Sequence, residues 1–155
     1  MAEALRQKPL LGRRILIVED SGLLASGFEA ILKDAGAEVV GPALRLEAAE
    51  WLAQDETLSG ALLDIRLNGG EVWSVARLLD HRGVPFVFLS GYFDQQGMPE
   101  EWRGRPLLVK PARAEAIIDT VAELFDSRFR SPVTSSISQR RSRSSTRSCG
   151  DGDHA

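Results

Sequence analysis

The chain has 155 residues, 43% of them hydrophobic, a formal charge of -3 and one cysteine. That is enough for one domain with a core but not for two packed domains, and Cys149 alone excludes an intrachain disulfide, so a cytoplasmic setting is expected. Apolar stretches are too short to cross a bilayer, which takes about 20 residues, and Leu10-Leu11 is too little apolar sequence for a secretory signal. The charge is divided unevenly. Four arginines against two aspartates give residues 131–155 a net +2, which leaves -5 on residues 1–130, a poor electrostatic match for nucleic acid.

Residues 1–13 form an N-terminal extension, and the first strand centres on Ile15 to Val18. Ser21 then has the chemistry of a helix N-cap, and Leu24, Phe28, Ile31, Leu32 and Ala35 recur at helical spacing up to a stop at Gly36. A short second strand, Glu38 to Val40, reads as a sheet edge. A helix from about Leu46 to Gln54 leads to a third strand, Ala61 to Leu63, and a helix from about Glu71 to His81 leads to a fourth, Pro85 to Leu89. Five glycines and prolines between Gly91 and Pro106 leave only Met98 to Trp102 for a short helix, so this connection is expected to be the most mobile part of the fold. A fifth strand, Leu107 to Val109, and a helix from about Arg113 to Arg128 complete the series. Trp51, Trp73 and Trp102 read as packing or surface residues. Beyond residue 130 the sequence turns to Ser, Thr and Arg, and a disordered tail over 131–155 is expected, with solvation a better account of it than a nucleic-acid contact.

Alternating strands and helices predict an α/β fold with a parallel sheet. Polar groups follow the apolar strands: Glu19-Asp20 after the first, Asp64 after the third, Ser90 after the fourth and Lys110 after the fifth. Such positions meet at the carboxyl edge of an open parallel sheet, where ligands bind. Three carboxylates and an ammonium there suggest a metal-assisted phosphate site.

The combination Glu19-Asp20, Asp64, Ser90 and Lys110-Pro111, with five strand-helix units across residues 14–130, resembles the receiver domain of two-component response regulators. The resemblance implies a flavodoxin-like doubly wound sheet of strand order 2-1-3-4-5 with helices on both faces. It implies that Asp64 is the phosphoacceptor for a histidine kinase or phosphotransfer protein. Mg²⁺ would be held by Asp20 directly, by Glu19 through water and by the backbone carbonyl of Arg66, with Asp64 also among its ligands. Lys110 would pair with Asp64 and then with the phosphoryl oxygens, and Ser90 would hydrogen-bond the attached phosphoryl group. Pro85-Phe86-Val87-Phe88-Leu89-Ser90-Gly91-Tyr92 further resembles stand-alone receivers with a Phe-Ala-Thr-Gly-hydrophobic-Tyr motif, with Leu89 for Ala and Ser90 for Thr. The family's aromatic three residues before the lysine is replaced by Leu107, which argues against the usual aromatic switch and makes ordering of residues 91–105 the expected output.

The reading is therefore a single-domain response regulator, a phosphoprotein and not an enzyme with an external substrate, without a DNA-binding domain or membrane attachment. It acts on an effector protein, with the last strand and helix as an effector or homodimer face. The alternatives are a receiver-like binding module without phosphate turnover, which would be favoured by loss of a site residue, and a small Mg²⁺-dependent phosphohydrolase. The latter wants a second acid shortly after the nucleophile, which Ile65-Arg66-Leu67-Asn68 does not supply. An electron carrier of flavodoxin type would need a phosphate-cradling loop where Glu19-Asp20 stands.

Overall fold

The computed structural model describes residues 8–91 and 97–126. Tyr92 of the motif above, part of the connection expected to be mobile, the last residues of the helix expected up to about Arg128 and the whole basic tail lie outside the described residues.

Strand β1 is Arg14–Val18, followed by helix α1 (Gly22–Asp34), β2 (Glu38–Ala43), α2 (Leu46–Asp55) and β3 (Gly60–Asp64). A two-stranded hairpin, β4 (Arg66–Leu67) and β5 (Gly70–Glu71), precedes α3 (Trp73–His81); then come β6 (Phe86–Ser90), a 3₁₀ turn (Glu100–Trp102), β7 (Leu107–Val109) and α4 (Ala114–Glu123). The five long strands form one parallel sheet in the order β2-β1-β3-β6-β7. Counting only those strands, this is 2-1-3-4-5, the doubly wound order expected from the sequence.

Strand alternation divides the core in two. Leu16, Val18, Ala61, Leu63, Phe86 and Phe88 point to the face covered by α2 and α3 through Ala49, Ala53, Val75, Ala76 and Leu79. Ile15, Ile17, Leu62, Val87 and Leu89 point to the other, covered by α1 and α4 through Phe28, Leu32, Ile117 and Val121. The unbroken apolar character of these strands follows from burial on both sides. Ser21 caps α1, its hydroxyl accepting from the Leu24 amide at 3.3 Å.

Three features differ from the sequence expectation. Helix α3 begins at Trp73 and not at Glu71, because Gly69 and Gly70 take positive φ (102° and 145°) and fold residues 66–71 into the hairpin. Helix α4 stops at Glu123, where the amides of Leu124, Phe125 and Asp126 turn to carbonyls three residues back. The segment before β1 also contributes to the core: Leu10 is fully buried against the α1 side, and its amide donates to the Ala35 carbonyl at 2.9 Å.

Between β6 and β7 the described residues contain a single 3₁₀ turn, anchored on α3. Trp102 is buried edge-on to Phe86 and Phe88, Arg105 lies 5.5 Å over the Phe86 ring and pairs with Asp80 at 3.0 Å, and Arg77 pairs with Glu101 at 3.4 Å. Of the other tryptophans, Trp73 packs edge-on to Phe88 and Trp51 is exposed.

Candidate functional site

The sheet brings the polar strand ends together at its carboxyl edge. Parallel register aligns Val18 with Leu63 and Asp64 with Leu89, while the Lys110 amide donates to the Ser90 carbonyl at 2.8 Å. Four consecutive neighbours in space, β1, β3, β6 and β7, thus deliver Glu19-Asp20, Asp64, Ser90 and Lys110 to one place.

Glu19, Asp20 and Asp64 can each present a carboxylate oxygen within 4.8 Å of the other two. Lys110 Nζ lies 2.7 Å from Glu19 Oε2 and 3.2 Å from Asp64 Oδ2. The sequence reading paired Lys110 with Asp64; its shorter contact is with Glu19. Glu19 is buried, and its other oxygen accepts from the Ser21 amide at 3.2 Å. Asp20 Oδ2 accepts from the Asn68 amide at 3.2 Å, so the tip of the β4-β5 hairpin holds this carboxylate. No residue type signals that bond, since a backbone amide leaves no trace in residue identity.

Burial raises the Asp64 carboxyl to about 7, with the Glu19 and, more weakly, Asp20 carboxylates pushing the same way against the Lys110 ammonium. For Lys110, burial disfavours the charge, but the hydrogen bond to Glu19 and the charge of Asp64 outweigh it and hold the ammonium above its usual value. One ammonium facing three carboxylates leaves the cluster short of positive charge. An all-oxygen donor set of this kind suits a hard divalent cation such as Mg²⁺, so the residues fit the metal that the resemblance implies.

Beside the cluster, a cavity of about 170 Å³ is lined by Asp64, Ile65, Arg66, Ser90, Gly91 and Lys110. A second, of about 100 Å³, adjoins it and shares Ile65, Arg66 and Ser90, adding Glu71, Trp73, Gly97 and Met98. Glu71 and Trp73, which the sequence reading left out of the site, are joined there by a hydrogen bond from Trp73 Nε1 to Glu71 Oε2.

No family model matches this sequence, and no curated protein does. Solved structures do. The solution structure of SdrG from Sphingomonas melonis Fr1 is similar with 32% identity and a TM-score of 0.64 over 76% of this chain and 98% of that one. The crystal structure of a response regulator receiver protein from Sinorhizobium medicae WSM419 is similar with 28% identity and a TM-score of 0.63, covering 75% of this chain and 96% of that one. The chain belongs to the response regulator receiver family. The non-phosphorylated HemR receiver domain from Leptospira biflexa, 25% identical with a TM-score of 0.62 over 74% of this chain and 94% of that one, is a further likeness. Among the described residues the strands and helices of this fold run from Arg14 to Glu123, with Leu10 buried against them. Among the described residues no helix is long and apolar enough to cross a membrane.

Proposed function

We propose that this receiver takes a phosphoryl group from a histidine kinase or phosphotransfer protein onto Asp64 in a Mg²⁺-dependent reaction, and signals in the cytoplasm by contact with an effector protein. The observation that carries the reading is the Lys110 ammonium set between Glu19 and Asp64, at the mouth of a cavity large enough for a phosphoryl group.

Of the carboxylates that come together, Asp20 and Asp64 would hold the cation, with Glu19 acting through water and the Arg66 backbone carbonyl as a further ligand, and when bound the cation would supply positive charge both to the carboxylates and to the phosphoryl oxygens. The protein's own residues do the rest. Asp64 attacks phosphorus as a carboxylate and needs no general base. Its Oδ–P bond forms as the donor's P–N bond breaks. Lys110, partly desolvated and anchored on Glu19, would face an oxygen of the transferring group as it gathers charge, and a pre-oriented ammonium in a half-buried pocket costs little reorganisation during the step. The Ser90 hydroxyl, on the same cavity, donates to the phosphoryl group once it is attached. Because Ser90 ends β6 and also lines the second cavity with Gly97 and Met98, that contact ties the phosphorylation state to the β6-β7 connection.

The test is intact mass after incubation with acetyl phosphate. We expect a Mg²⁺-dependent gain of one phosphoryl group in the wild type and none in Asp64→Asn. No gain in the wild type, with cognate kinases as with the small donor, would leave a receiver-like binding module as the reading.

A further inference from the structure

We infer that the smaller cavity beside Ser90 is a subsite for the leaving group of the phosphodonor, and that it takes the imidazole ring of a phosphohistidine. The inference rests on Asp64 being the phosphoacceptor.

Three observations lead to it. The cavity adjoins the phosphoryl pocket and shares Ile65, Arg66 and Ser90 with it, so a group attached to phosphorus in one can extend into the other. Its volume, about 100 Å³, suits a small flat ring; a cavity of about 150 Å³ accepts benzene. Its lining matches imidazole in polarity: Ile65, Trp73 and Met98 offer apolar and aromatic surface, and Glu71 offers a carboxylate. Trp73 Nε1 donates to Glu71 Oε2 and so fixes this carboxylate beside the ring's space.

The chemistry balances. In a phosphoimidazole, the nitrogen remote from phosphorus carries a proton when the ring is cationic, and Glu71 accepts a hydrogen bond from that N–H. The Asp64 Oδ–P bond forms, the P–N bond breaks, and its electron pair returns to the ring nitrogen. The ring leaves as neutral imidazole and keeps the proton it brought, so no other acid is required. Glu71 favours the protonated ring, which is the better leaving group.

The test compares two small donors with the same P–N bond, phosphoimidazole and phosphoramidate, on the full chain with Mg²⁺. Only the first has a ring to place. In Glu71→Gln the ratio of the phosphoimidazole rate to the phosphoramidate rate should fall about tenfold. Trp73→Phe, which keeps an aromatic against Phe88 but releases Glu71, should lower the ratio in the same direction. An unchanged ratio in both variants overturns the inference while leaving Asp64 as acceptor. A wild type phosphorylated by neither donor overturns the functional reading, and the subsite with it.

Discussion

Lys110 is bound more closely to Glu19 than to Asp64, at 2.7 Å against 3.2 Å, although Asp64 is the residue it would serve in phosphoryl transfer. Glu19 is buried and Lys110 half-buried, so the pair is largely removed from solvent screening. The ammonium therefore has in Glu19 a partner that does not depend on Asp64.

Removing that ammonium leaves two buried carboxyl groups facing each other. Lys110→Met should destabilise the metal-free protein by about 2–4 kcal/mol in urea unfolding, less than a wholly enclosed pair would lose because Lys110 keeps some exposure. Added Mg²⁺ should recover more stability in the variant than in the wild type. Phosphorylation by acetyl phosphate should slow by at least about a hundredfold, the scale of losing one charge-stabilising donor.

The Asp64 carboxyl, raised by burial and by Glu19 to about 7, sets a pH dependence opposite to that of an ordinary surface acid. Between about pH 4 and pH 7 the folded protein keeps a proton there that the unfolded chain has released, so the native state binds more protons and stability falls as pH rises. The penalty is complete above pH 7. In EDTA, the melting temperature of the wild type should drop between pH 5 and pH 8 by more than that of Asp64→Asn, and calorimetry at pH 6 should show Mg²⁺ binding releasing protons in the wild type.

The hairpin tip should govern metal affinity from outside the charged cluster. Gly69 has φ of +102° and open space around its Cβ position, so Gly69→Ala meets backbone strain of about 1 kcal/mol without a clash. The strain falls next to the Asn68 amide that holds Asp20. Mg²⁺ binding by titration should weaken severalfold in this variant with only a small change in melting temperature.

At the opposite end of the molecule, Leu10→Ala should cost about 2–4 kcal/mol, as for other fully buried leucines, and leave phosphorylation by acetyl phosphate intact in the folded fraction. Deleting residues 131–155 should change neither stability nor phosphorylation. Loss of phosphoacceptance on that deletion would place the domain boundary further along the chain.

The β6-β7 connection is held against β6 by Trp102, edge-on to Phe86 and Phe88, and the indole N–H of Trp102 is buried without a partner among the described residues. A buried donor left unpaired costs about 1–3 kcal/mol, which makes this anchor less firm than its aromatic contacts alone suggest. Amide exchange over residues 97–105 should slow when beryllofluoride occupies the phosphoryl site. Equal exchange in both states would show that the output lies elsewhere.

How far the sequence revealed this arrangement depended on periodicity. The apolar runs Ile15–Val18, Ala61–Leu63 and Phe86–Leu89 mark buried strands and Leu107–Val109 a more exposed edge strand, and the polar residue ending each run is legible because it breaks an otherwise apolar pattern. Strand order then places Lys110 near Asp64. Its preference for Glu19 was not legible, since it depends on a side chain reaching past β6 and β3 to the end of β1. Leu10 was missed because two leucines before Gly12 show no period, and the hairpin because Gly69-Gly70 reads as a turn without disclosing what the turn brings together. Glu71 and Trp73 were assigned to α3 or to packing, and their shared hydrogen bond beside Ser90 is a tertiary fact.

The β2 margin of the sheet offers another strand little to pair with. On β2, Pro42 has no N–H to donate, and the register with β1 is interrupted between Leu16 and Val18. A second polypeptide trying to lengthen the sheet from that side would find its ladder of bonds broken within a few residues. Ribbon-like stacking of copies through β2 is therefore discouraged by the backbone itself.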